Sequence, residues 1–168
     1  MSKAAFLPGF LGLQAIEDTL LIVYFDSPNV GVFQAIGAAM DELMASRSDS
    51  LLVAQVVDPG KGVPSIDAQR AAAKMTERIA SRTREIITFP SGDSFRALAV
   101  RSVIRTVNML SKKRQIVVGT MQEFHDEVRK TASSKTPDRV TIDRVIAELR
   151  ASHERWRDST GAHLYRPA

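Results

Sequence analysis

The sequence predicts an α/β domain: a mostly parallel sheet of four to five strands, its first strand antiparallel, flanked by helices. Three observations predict it. Residues 19–26 (TLLIVYFD), 51–57 (LLVAQVV), 85–89 (EIITF) and 115–118 (QIVV) are short runs rich in β-branched and aliphatic side chains, mostly bounded by turn residues. Between them lie longer stretches in which apolar residues recur at helical spacing. Strands that alternate with helices, over connections long enough for right-handed crossovers, give a mostly parallel sheet with helices against it.

Residues 11–16 precede the first run, and an antiparallel pair across Glu17 and Asp18 is expected. The strand over 19–26 is closed by Ser27, Pro28 and Asn29. Val32, Phe33, Ile36, Ala39, Met40, Leu43 and Met44 then mark one face of a helix over 30–46, with Gly37 its weakest position. The strand 51–57 ends at Asp58, Pro59 and Gly60, where Pro followed by Gly suits a type II turn. A helix over 65–81 turns Ala68, Ala71, Ala72, Met75 and Ile79 inward, residues small enough for close approach to a sheet. After the strand 85–89 and a turn at 90–93, a helix over 95–110 is expected to bury Phe95, Ala99, Val103, Val107 and Leu110, leaving Arg101, Arg105 and Asn108 outside. The last strand, 115–118, leads into Thr120-Met-Gln-Glu123, a capping box that opens a helix through Phe124 and Val128. A polar break at 132–135 (ASSK) precedes Thr136 and Pro137, a helix-start pair. Ile142, Val145, Ile146, Leu149, His153 and Trp156 share one face of the final helix, and 158–168 read as a tail. The organisation is therefore one α/β domain over 1–131, followed over 132–168 by a short linker, an amphipathic helix and a tail.

Composition narrows the function classes. Of 168 residues, 44% are hydrophobic and 25% charged, which excludes a disordered or collagen-like chain. The absence of Cys excludes disulfides, thiolate metal sites and cysteine nucleophiles. Charge is uneven: residues 1–60 hold 2 basic and 7 acidic side chains, residues 61–168 hold 21 and 12. That asymmetry raises an acidic partner. Nucleic acid is disfavoured, because only 10 residues are aromatic and they make no stacking platform among the arginines. The N-terminal stretch is broken by Pro8 and Gly9 and does not read as a secretory signal, and no apolar run approaches the about 20 residues of a membrane span. A cytoplasmic location is expected.

In parallel sheets, ligands meet the carboxyl ends of the strands. Those ends hold Asp26, Asp58, Thr88, Ser91, Asp93 and Thr120. Asp26 and Asp58 are a carboxylate pair of the kind that holds Mg²⁺ or accepts a phosphoryl group, but no Lys follows the last strand to neutralise a transferred phosphate. Turn chemistry is the competing account of both. Gly60-Lys61-Gly62 precedes a helix without completing a phosphate-loop pattern. His125, His153 and His163 have no metal-ligand spacing, and no nucleophile elbow occurs. No catalytic group, metal or cofactor is expected. Arg101 and Arg105, one turn apart, form a basic face open to an acidic partner or simply to solvent.

Two segments carry a resemblance. The first is Val56-Val57-Asp58 followed by Ile66-Asp67-Ala68-Gln69; the second is 95–128, FRALAVRSVIRTVNMLSKKRQIVVGTMQEFHDEV. With the order of elements, they resemble the SpoIIAA-like, STAS-like family, small α/β domains related to bacterial anti-sigma factor antagonists, over about residues 11–131. The resemblance implies a regulatory phosphorylation and partner-docking site at the start of the second helix. Asp67 matches the family's Asp, whereas Ala68 and Gln69 replace its hydroxyl residues. Ser65, which reads as a helix N-cap, is then the nearest phosphate acceptor.

The leading expectation is a non-enzymatic regulatory or signalling domain that binds a protein partner, acidic or kinase-like, through Asp26, Asp58, Lys61, Ser65, Asp67 and Gln69. The alternative is a small-molecule or lipid-binding sensor with a pocket between helix and sheet, where the Ala-rich face of 68–79 meets Phe33, Met40, Phe89 and Phe95. The final helix is expected to dock on its own domain or to swap onto a second copy as a homodimer.

Overall fold

The computed structural model describes residues 4–45, 50–58, 60, 62–92, 95–111 and 115–160. Pro59, Lys61, Asp93, the basic run 112–114, His163 and most of the expected tail lie outside the described residues. The chain runs β1 (Ala4–Leu7), β2 (Leu11–Ile16), β3 (Thr19–Tyr24), α1 (Val30–Ala45), β4 (Leu51–Val57), α2 (Ile66–Ile79), β5 (Thr83–Pro90), α3 (Phe95–Leu110), β6 (Ile116–Val117), α4 (Met121–Lys130) and α5 (Arg139–Ser159). The six strands lie side by side in chain order; β1–β2 and β2–β3 are antiparallel and β3 to β6 are parallel. The α/β class and the antiparallel start agree with expectation, and β1 adds a strand that the sequence did not disclose. Glu17, with φ of 49°, and Asp18 make the two-residue hairpin between β2 and β3.

Strand order dictates the layers. Each parallel strand is added on the same side of the one before, so right-handed crossovers bring α1, α2 and α3 to one face. There Ile36, Met40, Ala72 and Ile79 pack on Leu20, Ile22, Val53 and Ile86. The intervening residues, Leu21, Val23, Leu52, Ala54 and Ile87, point the other way by the two-residue period of a strand. They pack with Phe124 and Val128 of α4 and with Ile142, Val145, Ile146 and Leu149 of α5. The final helix is thus seated on its own sheet. It lies so close to β2 that a Cβ on Gly12 would come within 2.9 Å of Leu149 Cδ2, which explains glycine in mid-strand.

The α4–α5 connection is fastened by Asp18, a buried carboxylate in the β2–β3 turn. It accepts hydrogen bonds from Arg84 Nη2 at 2.8 Å, from Thr19 Oγ1 at 3.1 Å, and from Ser133 and Thr136. Burial alone raises this carboxyl group, but the bonds from Ser133, Arg84 and Thr19 together with the Arg84 charge outweigh burial and hold it below its ordinary value.

Three expectations are corrected. Phe95 and Leu110, predicted inside, are 85% and 51% exposed, because α3 turns Ala97 and Ile104 inward beside Val107, which is buried as expected. Phe89 packs against Phe124 in the α4–α5 core, since strand alternation sends it away from the face that carries Phe33. The last helix is capped by Asp138, which accepts from the Thr141 N–H at 2.8 Å, while Thr136 bonds Asp18 rather than starting the helix. The Thr120–Glu123 capping box forms as expected. Among the described residues, no helix is long and apolar enough to cross a membrane.

Candidate functional site

On the α1–α3 face the strands are apolar at one end and change character toward their carboxyl ends. Leu20 and Ile22 give way to Tyr24 in β3, Leu51 and Val53 to Gln55 in β4, and Ile86 to Thr88 in β5. Gln55 and Thr88 are register partners, and both are buried. The Thr88 hydroxyl lies 3.4 Å from Gln55 Oε1 and 3.0 Å from Gln115 Oε1. Gln115 is held in place by Asn108 of α3, whose side chain donates to the Gln115 carbonyl at 3.1 Å and accepts from its N–H at 2.9 Å. Burial pushes the Tyr24 phenol well above its ordinary value, so it stays protonated at neutral pH.

Above this polar row the helices leave a cavity of about 80 Å³. Phe33 of α1, Ala72 and Met75 of α2, and Val100, Val103 and Ile104 of α3 form its walls. Ala72 is too short to fill the space that its neighbours enclose. Thr76 of α2 also lines the cavity; it is 1% exposed, and its hydroxyl has no hydrogen-bond partner among the described residues. A buried polar group without a partner costs about 1–3 kcal/mol, so it is an uncommon feature for a packed interior to keep.

The mouth of the cavity gathers several residues expected from sequence. Asp26, Asp58 and Gln69 line it, beside Gly60 and Gly62. The β4–α2 loop is fastened over the end of β3: Ser27 donates to the Gly62 carbonyl, and a Cβ on Gly60 would lie 2.7 Å from Asp26 Cα, so only glycine fits. Asp26 accepts from the Ser27 N–H at 2.7 Å. Asp58 faces Arg150 of α5 in a two-pronged pair, Nε to Oδ2 at 2.9 Å and Nη2 to Oδ1 at 2.6 Å, and accepts from Ser91 at 2.9 Å. Its charge is therefore matched inside the chain, and it latches α5 to the carboxyl edge of the sheet.

The remaining candidates lie elsewhere. Ser65 is the exposed N-cap of α2, accepting from the Ala68 N–H at 3.2 Å. Asp67 is exposed and 3.5 Å from Arg70, whereas Gln69, at the mouth, donates to the Pro64 carbonyl at 2.9 Å. Lys61 is outside the described residues. Arg101 is half-buried beside Gly119 while Arg105 is exposed, so the two do not share one environment.

His125 is buried in α4 with Nε2 2.9 Å from Asp143, and His153 of α5 stacks on Phe25. Burial, and then Arg157, lower the His153 pKa. Among the described residues, no group of three or more His, Asp or Glu side chains could hold a metal ion.

Sequence reasoning named the mouth and Thr88 but missed Tyr24, Gln55, Thr76 and Gln115. The signal for Gln55 was present, a lone amide inside the apolar run LLVAQVV. No protein-family model matches this chain, and a search of curated proteins finds no match.

Proposed function

We propose that this is a non-enzymatic regulatory domain that binds a small molecule in the cavity between α2, α3 and the sheet. One observation carries the reading: a cavity at the carboxyl edge of parallel strands, where such sheets take their ligands, has apolar walls and the buried polar side chains Gln55 and Thr88 at its base. Apolar walls supply affinity, and the amides and hydroxyls at the base supply orientation. The volume of about 80 Å³ corresponds to about five waters. That suits a compact ligand and argues against enclosure of a whole lipid.

Methyl-resolved NMR titration with xenon and with acetamide, probes small enough for this volume, tests it. At least one probe shifts the Met75, Val103 and Ile104 methyls of the wild type, and Val100→Phe, which fills the cavity from α3, abolishes those shifts. Silence of these methyls toward both probes, or shifts that survive Val100→Phe, refutes the reading.

A second reading, a protein-docking domain of the SpoIIAA-like, STAS-like kind, is favoured by one feature: Val63 and Ile66, 56% and 66% exposed, flank Ser65 at the start of α2. Exposed apolar side chains beside a phosphate-acceptor position suit a partner surface. Capture of the wild type and Asp67→Arg side by side from host lysate tests it: a stoichiometric partner lost only in Asp67→Arg supports docking there, and equal recovery with both sinks it.

A further inference from the structure

The outer side of α3 is unmatched within the chain in two respects. The first is apolar surface. Phe95, Leu98, Ser102, Arg105 and Met109 follow one another at steps of three and four, so they share one side of the helix in a stripe about 21 Å long. All five are exposed, Phe95 by 85%, Met109 by 86% and Leu98 by 59%. The inner side of the helix is occupied, with Ala97, Ile104 and Val107 buried and Val100 and Val103 walling the cavity. The second respect is charge. α3 carries Arg96, Arg101 and Arg105 and no acidic residue, and residues 94–122 hold six basic side chains and no acidic one. Elsewhere exposed arginines are answered within the chain, Arg70 by Asp67, Arg78 by Asp41 and Arg144 by Glu148. Arg105 is exposed and has no ion-pair partner among the described residues.

We propose that the outer side of α3 docks on an anionic lipid surface, with Phe95, Leu98 and Met109 entering the headgroup layer and Arg105 beside the lipid phosphates. A basic helix that presents bulky apolar side chains on one side has the chemistry of an interfacial helix, held by apolar burial and by attraction to anionic lipid together. A second copy of this chain would set like charge against like charge. A protein partner would need a fitted recess for each anchor. A lipid surface accepts side chains that stand free of their neighbours, as Phe95 and Met109 do. Docking here is independent of ligand binding in the cavity, because none of the stripe residues lines it.

Flotation with vesicles of phosphatidylcholine alone, and with vesicles of equal parts phosphatidylcholine and phosphatidylglycerol, tests the assignment. The wild type floats with the anionic vesicles and not with the neutral ones, and added salt releases it. Arg105→Glu weakens partition by about tenfold or more, since each charge near such a surface contributes about fivefold and the change replaces an attraction with a repulsion. Phe95→Ser combined with Met109→Ser weakens it by at least about tenfold, and because both positions are exposed the urea midpoint stays that of the wild type. Arg155→Glu, exposed on α5 across the sheet, makes the same change in net charge and weakens partition by less than about twofold, since it lies beyond the screening length. No flotation with the anionic vesicles, flotation that neither α3 variant weakens, or an equal loss in Arg155→Glu would each overturn the assignment. So would a wild-type dimer that the Phe95→Ser, Met109→Ser variant dissociates, which gives the surface to a second copy. An acidic protein captured from lysate by the wild type but not by Arg105→Glu, without any vesicle binding, gives it to a protein and overturns the assignment likewise.

Discussion

Replacing Thr76 with valine is expected to stabilise the fold. Most core substitutions destabilise, so the sign is informative. The side chain is 1% exposed, and its hydroxyl has no partner among the described residues. Valine has nearly the same shape, the same β-branching and a similar helix propensity, so χ1 freedom and backbone preference barely change. What changes is that a polar atom stranded in an apolar wall becomes a methyl group. The desolvation penalty of an unpaired hydroxyl is about 1–3 kcal/mol, and we expect about 1–2 kcal/mol of stabilisation. For a chain of 168 residues each kcal/mol moves Tm by about 2–4 °C. Urea unfolding should show a higher midpoint at unchanged m-value. Thr83 is the control: it is also buried, but its hydroxyl donates to the Ile79 carbonyl at 2.7 Å. Thr83→Val should therefore destabilise by about 1 kcal/mol. If Thr76→Val destabilises as Thr83→Val does, the Thr76 hydroxyl is satisfied in solution and the argument from it fails.

Three further outcomes follow from the other contacts. Asp18 has its carboxyl held below the ordinary value, so its contribution is fully present above the unfolded pKa of about 3.9 and is lost as pH falls through the folded value. The stability gap between wild type and Asp18→Asn should be wide at pH 7 and close on acidification; a gap independent of pH would refute the bonded carboxylate. Gly12→Ala drives a methyl to 2.9 Å from Leu149 Cδ2 and should cost about 1–3 kcal/mol. Adding Leu149→Ala should cost less than the sum of the two single changes, and strict additivity in urea unfolding would count against close packing of α5 on β2. Arg150→Ala removes the two-pronged pair to Asp58; because the Arg150 side chain is 39% exposed, the loss should be about 1–2 kcal/mol, with faster amide exchange along α5. Unchanged exchange there would show that the pair does not hold the helix.

The fold was legible where local signals agreed with one another. The strand at Leu51–Val57 and the helix at Phe95–Leu110 have the expected bounds, and the Thr120 cap forms as its spacing implied. β1 was hidden because Pro8 and Gly9 split a short apolar run, and a four-residue strand carries little periodicity of its own. The inner face of α3 was misjudged for a different reason. Its apolar residues, among them Phe95, Ala97, Leu98, Val100, Val103, Ile104, Val107 and Met109, encircle the helix, so no face is singled out until the sheet chooses one. The mouth of the cavity was legible from the rule that parallel sheets present ligands at strand ends. Its polar base was not, since Gln55, Thr76 and Gln115 come from three separate segments and meet only through tertiary packing.

The two faces of the sheet carry different loads. Toward α4 and α5 the strands meet apolar side chains, with Phe124 fully buried among Ile87, Val128, Ile142 and Ile146. Toward α1–α3 the same strands end in Tyr24, Gln55 and Thr88, and the space above them is left unfilled. A folded domain has only about 5–15 kcal/mol of net stability, so an orphaned hydroxyl at about 1–3 kcal/mol is a substantial fraction of it. Strand alternation lets one strand serve both purposes: in β4, Ala54 and Val56 contribute to the closed core while Gln55 between them faces the cavity. The packed α4–α5 face and the Asp58–Arg150 pair offset the cost of the open one. A cavity kept only by loose packing would be expected to be apolar throughout, because nothing would hold buried amides and hydroxyls against replacement by valine or leucine. Here Gln55, Thr88, Gln115 and Asn108 bond one another across β4, β5 and α3, and the hydroxyl of Thr76, which also lines the cavity, is the polar atom that this network leaves without a partner among the described residues.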